Sequence, residues 1–250
     1  MNKIRIIPSV LFKDNNAIRG KNFQSWRTVG SLLQTIKLYS LREVDELIFL
    51  DTNATLNNKI NYSLIDDFAD ECFMPITVGG GIKNLNHIEN LLKVGADRIC
   101  INTAMYKDKN FVKNAIKNFG VQCIIVSVDY KKINNKKIVF VKSGSQNTEI
   151  ELNDYLKLIE ESGAGEVLLT SIDHDGTMSG FDNHTLKEIN KKFKFKLIAS
   201  GGAGNKNHVL KTIRNTKVTA VSCSSIFHFT EITPKSLKKY LMENNVKVRV

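Results

Sequence analysis

Short runs of apolar and β-branched residues alternate along the chain with longer amphipathic segments. The runs are mostly continuously apolar, as expected for parallel strands that are covered on both faces. The amphipathic segments place leucine and isoleucine on one helical face and end at glycines such as Gly95 and Gly163. Eight strands are predicted, at 4–10, 46–51, 76–78, 98–102, 123–129, 166–172, 196–199 and 218–222. Eight strand-then-helix units predict either a closed barrel or an open, doubly wound sheet.

An internal repeat favours the closed barrel. The segment TVGGGI at 77–82 recurs as ASGGAG at 199–204, and CINTAM at 100–105 recurs as SCSSIF at 222–227. Both pairs are separated by 122 positions. Two copies of a four-strand unit close naturally into eight strands, whereas an open sheet gives no reason for such a duplication. The predicted fold class is therefore α/β, a (β/α)₈ barrel made of two half-barrel repeats.

The length of the chain fits one such barrel. Barrels of this type use roughly 250 residues as one domain, and the chain has 250 residues, of which 42% are hydrophobic. We predict a single domain over 1–250, with half-barrels at about 1–120 and 121–250. Two segments fall outside the strand–helix rhythm. The stretch 13–30 is predicted to be a polar loop, and the residues after Asp129 are predicted to form a β-hairpin around an Asn-Asn turn.

Composition and charge exclude several functional classes. The net charge is +11, but the lysines lie in helix and loop segments without interleaved aromatics, so we predict a solvated surface and no nucleic-acid partner. No apolar run approaches the roughly 20 residues that span a bilayer, and no signal peptide is recognisable. We therefore expect a cytoplasmic protein without a membrane partner. The four cysteines and five histidines follow no metal-ligand spacing, so no metal and no cofactor are predicted.

Glycines and small polar residues at repeat-related strand ends predict two phosphate sites. Glycine directly after a strand lets backbone N–H groups approach an anion without obstruction. The third and seventh predicted strands end in Gly79–Gly81 and Gly201–Gly202, and the fourth and eighth end in Asn102–Ala104 and Ser224–Ser225. The alternative is that the glycines only relieve crowding in tight turns. The pattern favours a ligand with two phosphates at opposite ends, lying across the barrel mouth.

Carboxylates also follow the strands. Asp129 closes the apolar run CIIVSVD, so it is predicted to point into the mouth, where partial desolvation favours a general acid or base. The alternative is a carboxylate bonded to loop backbone. That alternative is stronger for Asp51 and Asp173, whose neighbours are typical of turns.

Charged residues of alternating sign begin four of the predicted strands. They are Arg5, Glu46, Arg98 and Glu166. A ring of such residues at the bottom of a barrel predicts a salt-bridge layer that closes it. A gate through the barrel is the second interpretation, and the sequence alone favours closure.

Several segments together resemble the cyclase subunit family of imidazole glycerol phosphate synthase, over essentially the whole chain. They are RIIPS (5–9), DELIFLD (45–51), TVGGGI (77–82), GADRICINTA (95–104), GAGEVLLTSIDHDGT (163–177), IASGGAG (198–204) and SIFHF (225–229). The resemblance implies a (β/α)₈ barrel with a glutaminase subunit docked at its bottom. It also implies that ammonia crosses the barrel and attacks a bisphosphate ribulosyl substrate, giving imidazole glycerol phosphate and AICAR.

The same resemblance implies roles for individual residues. It assigns Asp129 as a catalytic carboxylate and Asp97 as a contact with the glutaminase. It assigns the four ring residues as the ammonia gate, with Arg98 where the family usually has lysine. Phosphate-binding residues are implied at Gly81, Asn102, Thr103 and Gly176 for one group and at Gly202, Ser224 and Ser225 for the other.

One position departs from the family pattern. The first strand of the family normally carries a second catalytic Asp, and Leu11 stands there in this chain, with Arg19 in place of a lysine that often follows. A general acid or base typically contributes about 10²–10⁴-fold to a rate, so ordinary cyclase turnover is in doubt.

A branch of the family with an apolar residue at that position works in surface-glycan synthesis. This chain resembles that branch at Leu11. The resemblance implies that the chain supplies ammonia, with a glutaminase and an amidotransferase partner, for conversion of an N-acetyl sugar into an acetamidino sugar. We therefore predict an ammonia-conducting barrel for sugar amidation. The alternatives are a genuine cyclase of histidine biosynthesis and a non-catalytic scaffold that activates its glutaminase.

Overall fold

The computed structural model describes residues 3–42, 44–57 and 59–249. The ends of the predicted domain, residues 1–2 and 250, lie outside the described part. The described strands are β1 (Arg5–Lys13), β2 (Asn16–Lys21), β3 (Gln24–Ser31), β4 (Leu47–Asp51), β5 (Ile76–Gly79), β6 (Arg98–Ile101), β7 (Ile124–Ile133), β8 (Lys136–Val141), β9 (Gln146–Glu151), β10 (Glu166–Ser171), β11 (Lys196–Ser200) and β12 (Ala220–Cys223).

Eight of these strands form a closed parallel barrel, which confirms the predicted fold class. Its order is β1, β4, β5, β6, β7, β10, β11 and β12, and β12 pairs with β1 to close the circle. The sequence order of the barrel strands is kept around the ring, as strand–helix repeats require. All eight carboxyl ends therefore lie at one face, the mouth, and all eight amino ends lie at the opposite face.

Each barrel strand is followed in sequence by at least one helix. The described helices are α1 (Leu32–Leu41), α2 (Thr52–Asn57), α3 (Tyr62–Ala69), α4 (Leu85–Lys93), α5 (Thr103–Lys107), α6 (Phe111–Phe119), α7 (Leu152–Glu161), α8 (Asn183–Lys192), α9 (Lys206–Thr216), α10 (Ser225–Phe229) and α11 (Pro234–Glu243). A 3₁₀ turn at Val121–Cys123 precedes β7. In the described part of the chain, none of the helices combines the length and the apolar character needed to cross a membrane.

Helix capping repeats the two-fold pattern of the sequence. The Asn84 side chain accepts a hydrogen bond from the His87 N–H at 2.9 Å and caps α4. The Asn205 side chain accepts one from the His208 N–H, also at 2.9 Å, and caps α9. A side-chain oxygen at this position satisfies one of the free N–H groups of the first helical turn. The start of each repeat-related helix is thus fixed by the same local interaction.

Two apolar layers explain why the strand runs are continuously hydrophobic. An outer layer fills the space between the strands and the helices and includes Ile6, Val10, Leu91, Val126 and Leu237. A separate inner cluster fills the barrel itself, and its buried members are Ile7, Ile48, Cys100, Ile125, Leu168, Ile198 and Ala220. Each barrel strand therefore buries both of its faces, which removes the polar alternation of a half-exposed strand.

The structure of residues 13–30 differs from the prediction made from the sequence. It was expected to be a polar loop, but β1 continues to Lys13 and β2 and β3 form an antiparallel hairpin with it. The turn lies at Asn22 and Phe23, which both have positive φ angles, 53° and 59°. Phenylalanine is unusual at such a position, so the usual Asn-Gly signature of a two-residue hairpin is missing. The hairpin predicted after Asp129 is confirmed and gains a third strand, β9.

A buried ion pair anchors the last helix to the barrel. The Lys238 ammonium lies 2.6 Å from Asp45 Oδ1, and both residues are buried. The other oxygen of Asp45 accepts the Ile6 N–H at 3.1 Å. The carboxylate thereby connects α11 to β1, so α11 is anchored to the first strand of the barrel.

We expect Lys238→Met to lower the free energy of unfolding by about 3 kcal/mol, because it leaves the Asp45 carboxylate buried without its cation. Denaturant titration measures the change. Lys239→Met is the matched control, since Lys239 lies on the same helix with its side chain exposed. The control is expected to change stability by less than about 0.5 kcal/mol. Equal effects in the two variants would contradict the proposed anchoring.

Candidate active site at the barrel mouth

A cavity of about 530 Å³ opens at the carboxyl ends of the barrel strands. Its lining includes side chains from both halves of the chain. Among the residues predicted for the site, it contains Gly81, Asn102, Thr103, Asp129, Ser224 and Ser225. Gly176 and Gly202 lie nearby in the chain fold but do not line the cavity. The structure thus brings six of the eight mouth residues together around one space.

Hydrogen bonds organise the end formed by the first half-barrel. The Asn102 amide donates to Asp129 Oδ2 at 3.0 Å and to the Ser127 carbonyl at 3.1 Å. The Thr103 hydroxyl accepts the Lys142 N–H at 3.1 Å, which brings the turn after β8 to this end. The Gly81 N–H donates to the Thr55 hydroxyl at 3.2 Å. These contacts hold the polar groups around the opening without filling it.

Hydroxyl groups dominate the end formed by the second half-barrel. Four serines line it, namely Ser200, Ser222, Ser224 and Ser225. The hydroxyl oxygens of Ser222 and Ser224 are buried and have no hydrogen-bond partner within the described residues. Buried hydroxyls are normally paired, so two unpaired ones at a cavity wall are available to hydrogen-bond a ligand.

Close backbone contacts account for the two glycines outside the cavity. Gly202 has a φ of +110°, and a Cβ there would lie 2.1 Å from the Gly180 carbonyl oxygen. Gly176 has a φ of +70°, and a Cβ there would lie 2.1 Å from the Gly20 carbonyl oxygen. Packing therefore requires that Gly176 and Gly202 have no side chain. Their role in phosphate binding stays a prediction.

Asp129 is the buried carboxyl of the mouth. It is 8% exposed, and burial together with the nearby charge of Asp175 raises its pKa to about 7. Asp175 lines the same cavity, and burial raises its pKa to about 6, against the opposing effect of Arg19. Two carboxyls that titrate near neutrality can hold and release protons at physiological pH.

Asp51 bonds to local turn backbone, as predicted, whereas Asp173 bonds to the backbone of β7, which is distant in sequence. Asp51 Oδ1 accepts the N–H groups of Asn53 and Ala54, both at 2.9 Å, at the start of α2. Asp173 Oδ2 accepts the Lys132 N–H at 2.8 Å. Asp51 also lines the cavity, whereas Asp173 does not.

The buried position of Arg19 was not apparent from the amino-acid sequence. The residue is 2% exposed, and its guanidinium donates to the carbonyls of Ser9 and Ile18, both at 2.6 Å. Its Nη2 also lies 3.0 Å from His228 Nε2. Burial and the nearby charges of Arg19 and Arg42 lower the pKa of His228 to about 3, so this imidazole is neutral and its Nε2 can accept a hydrogen bond from the Arg19 N–H. Arg19 thereby ties the first hairpin to the barrel.

The first hairpin lies over the mouth and contacts the second half-barrel. The Asn22 amide donates to the carbonyls of Ile172 and Asp173, at 3.0 and 2.8 Å. The Phe23 ring lies against Gly144, in the turn after β8. Trp26 lines the cavity with 40% of its surface exposed. None of these contacts was anticipated, because 13–30 had been interpreted as an irregular loop.

Leu11 lies in the cavity wall on β1. It pairs with Leu50 of β4 and with Ile18 of β2 in the sheet. An apolar side chain therefore occupies the position between the first strand and the opening, and it supplies no proton donor or acceptor.

The four charged residues at the amino ends of the strands form a closed salt-bridge ring. Arg5 bonds Glu46 at 2.9 Å and also bonds Glu166. Arg98 bonds Glu46 at 3.1 Å and Glu166 at 2.6 Å. Each charge thus contacts two of opposite sign, and the predicted salt-bridge layer is present. The Thr77 hydroxyl adds a bond to Glu46 Oε1 at 2.9 Å.

Asp97 lies beside this ring on the amino-terminal face. It is exposed, and its Oδ2 accepts the Ile76 N–H at 2.8 Å. The second carboxylate oxygen has no hydrogen-bond partner within the described residues. The residue therefore presents a negative charge at the amino-terminal face, close to the ring.

Comparison with known proteins gives matches over most of the chain. The family model described as histidine biosynthesis protein matches residues 5–233. The chain is 39% identical over 248 residues to imidazole glycerol phosphate synthase subunit HisF of Hydrogenobaculum sp. (strain Y04AAS1), covering 98% of both chains. It is 38% identical over 248 residues to the protein of the same name from Bacillus cereus (strain G9842), again covering 98% of both chains.

Because Asp129 is buried, we expect the Asp129→Asn variant to become more stable, relative to the unmodified protein, as the pH rises. The folded-state pKa of about 7 is above the ordinary value of 3.8, so the folded state loses stability as the pH rises from about 4 to 7. Asparagine carries no such charge. We expect the stability of the variant, relative to the unmodified protein, to increase by at least about 1 kcal/mol between about pH 5 and pH 8.

Denaturant unfolding at both pH values measures this difference. Asp154→Asn is the control, because the Asp154 carboxylate is exposed and its pKa is lowered by the Lys157 ammonium, so it stays ionised over this range. A pH-independent difference between Asp129→Asn and the unmodified protein would contradict the interpretation of Asp129 as a carboxyl that titrates near neutrality.

Proposed function

The chain belongs to the histidine biosynthesis protein family, and we propose that it is the ammonia-using barrel subunit of an imidazole glycerol phosphate synthase-type complex. In this proposal, ammonia from a glutaminase subunit enters at the amino-terminal face and reacts with a phosphorylated ligand in the mouth. The observation that carries the proposal is the alignment of the salt-bridge ring, the apolar barrel interior and the buried Asp129 along one barrel.

The barrel interior supports transfer of neutral ammonia. Between the ring and the mouth lies the inner apolar cluster, which includes Ile48, Ile125 and Leu168. An ammonium ion buried among such side chains would lack a counter-ion, which is strongly unfavourable. Neutral ammonia has no such penalty. Ammonia that passes this layer emerges beside Asp129 and Asn102, where the chemistry of the mouth begins.

The two ends of the mouth support binding of a ligand with two phosphates. We assign Gly81, Asn102, Thr103 and Gly176 to one phosphate and Gly202, Ser224 and Ser225 to the other. The unpaired hydroxyls of Ser222 and Ser224 support the second assignment. A ligand held at both ends places its central atoms over Asp129, which then donates or accepts the proton during attack by ammonia.

The relatives favour the cyclase reaction of histidine biosynthesis. Their printed name is imidazole glycerol phosphate synthase subunit HisF, and the chain covers nearly all of each of them. The proposed reaction converts the bisphosphate ribulosyl substrate and ammonia into imidazole glycerol phosphate and AICAR. Asp129 supplies one acid–base group, and Asp175, which lines the same cavity, is our candidate for a second.

Leu11 favours a second candidate function. With this apolar side chain at the end of the first strand, the mouth lacks the second catalytic Asp that the resemblance leads us to expect. Ammonia delivery without ring formation needs fewer proton transfers at the mouth. The second candidate is therefore supply of ammonia, with an amidotransferase partner, for amidation of a surface-glycan sugar precursor to an acetamidino sugar.

Turnover of the purified barrel with excess ammonium separates the two functions. Ammonium replaces the glutaminase, so the assay tests only the barrel. With the bisphosphate ribulosyl substrate, we expect the unmodified protein to release AICAR and Asp129→Asn to lower kcat about 10²–10⁴-fold. Leu11→Asp is expected to raise kcat, because it restores a second acid–base group beside the ligand.

The exposed Asp154→Asn variant serves as the control and should retain the unmodified rate. Activity that appears only in Leu11→Asp would contradict the cyclase function and support ammonia delivery for sugar amidation. Inactivity of both proteins, despite binding of the bisphosphate substrate, would leave the scaffold function as the explanation.

The exposed Asp97 carboxylate is proposed to contact the glutaminase. We expect Asp97→Lys to abolish glutamine-dependent turnover in the complex, because charge reversal replaces attraction by repulsion at the interface. Ammonium-dependent turnover should remain, since the mouth lies at the other end of the barrel. Asp66→Lys, an exposed reversal on α3, is the control. Loss of both activities in Asp97→Lys would instead indicate damage to the fold through the lost Ile76 contact.

A further inference from the structure

Four neighbouring strands carry an in-register row of one carboxyl and three hydroxyls where they reach the mouth. Asp129 of β7 pairs with Thr170 of β10, and Thr170 pairs with Ser200 of β11. Ser200 pairs in turn with Ser222 of β12. Residues in register on neighbouring parallel strands point to the same face of a sheet, and all four line the mouth cavity. We call Thr170, Ser200 and Ser222 the hydroxyl row, and Asp129 lies at its end.

The hydroxyl row lies directly above the apolar interior of the barrel. Two residues earlier, the same three strands carry Leu168, Ile198 and Ala220, which belong to the inner apolar cluster. Residues two apart on a strand share a face, so each hydroxyl of the row follows an apolar side chain along the barrel. On the path from the amino-terminal ring to the mouth, the row therefore supplies polar side chains immediately after the apolar layer.

The hydroxyls of the row do not bond to one another. Within residues 3–42, 44–57 and 59–249, no hydrogen bond joins two hydroxyls of the row, and that of Ser222 is buried without any partner. Thr170 and Ser222 are only 6% and 2% exposed. Neighbouring strands lie about 4.8 Å apart, whereas an O–H···O hydrogen bond spans about 2.5–3.0 Å. This spacing suits a small molecule that bonds to two neighbouring hydroxyls.

The internal repeat does not account for the hydroxyl row. The positions 122 residues before Thr170 and Ser222 hold Ile48 and Cys100. Both of these residues belong to the inner apolar cluster, so the first half-barrel has apolar side chains where the second has hydroxyls. A buried hydroxyl costs free energy unless it is hydrogen-bonded. The polar row on one side of the barrel therefore indicates a specific use.

We infer that the hydroxyl row is a binding site for neutral ammonia, which it holds beside Asp129 before the attack on the ligand. Hydroxyl oxygens accept the N–H groups of ammonia and leave its lone pair free. Because the hydroxyls are uncharged, they do not favour the ammonium ion, which has no lone pair for the attack. Ser222 can contact the second phosphate at the same time, since a hydroxyl donates one hydrogen bond and accepts two.

This inference rests on the proposed function, in which ammonia reaches the mouth through the barrel. It adds a defined place where ammonia is held, and it applies equally to ring formation and to sugar amidation.

Ammonium-dependent turnover of Ser200→Ala tests the inference, because Ser200 is assigned to neither phosphate. With the bisphosphate ribulosyl substrate, we expect the KM for ammonium to rise about three- to tenfold, as for the loss of one hydrogen bond. The kcat at saturating ammonium and the KM for the bisphosphate should stay within about twofold. Ser200→Thr keeps the hydroxyl and should keep the KM for ammonium. Thr219→Val is the control, since that hydroxyl lies before β12 and bonds to the Leu197 carbonyl at 3.3 Å.

Thermal unfolding gives a second measurement that needs no turnover. The Tm is compared in ammonium chloride and in sodium chloride of equal ionic strength, at an alkaline pH where neutral ammonia is abundant. A molecule that binds only the folded state raises the Tm by mass action. We expect ammonium to raise the Tm of the unmodified protein and of Ser200→Thr by about 1–3 °C, and that of Ser200→Ala by less.

The two measurements judge the inference and the proposed function separately. An unchanged KM for ammonium in Ser200→Ala would overturn the inference and leave the proposed function in place, as would an equal rise in the KM for the bisphosphate. Absence of turnover in the unmodified protein would count against the proposed cyclase reaction. In that case, equal Tm shifts in the unmodified protein and Ser200→Ala would overturn the inference as well.

Discussion

The ion-pair ring at the amino ends of β1, β4, β6 and β10 constrains the rest of the structure. Arg5 and Arg98 each bridge Glu46 and Glu166, so every buried charge is compensated by two neighbours. Breaking one pair of such a set typically costs about 3–5 kcal/mol, because a charge is left buried without its partner. The ring therefore fixes four strands relative to one another. It also makes one end of the barrel a closed, polar layer.

The position of the ring determines where chemistry is available. Above it, the barrel is filled mainly by apolar side chains such as Ile7 and Ile198, which supply no proton donor or acceptor. Polar side chains become exposed to a common space only where the strands end. Asp129 is one of the buried polar side chains there, and its burial raises its pKa to about 7. A closed bottom and an apolar interior thus concentrate the reactive groups at the mouth.

The sequence predicted the barrel and its ring because both depend on local, repeated patterns. Strand periodicity, the duplication and the charges at strand starts are all visible in a single chain. The first hairpin was missed because its turn places Phe23 at a positive φ angle, without the glycine that normally marks it. The position of Arg19, and the packing of Gly176 against Gly20, arise from segments far apart in sequence. Such contacts leave no local signal.

The divergence between the two half-barrels, and not the barrel itself, determines which reaction the mouth supports. The internal repeat makes the two half-barrels similar, and this similarity is visible in the matched helix caps at Asn84 and Asn205. The two halves nevertheless differ at the mouth, where Leu11 lies in the wall on the side of the first half and four serines line the end formed by the second. An apolar side chain such as that of Leu11 neither donates nor accepts a proton, so acid–base chemistry at the mouth depends on Asp129 and the other carboxyls of the cavity. The difference at Leu11 therefore bears on the chemistry of the mouth, whereas the ring and the apolar interior serve both candidate functions equally.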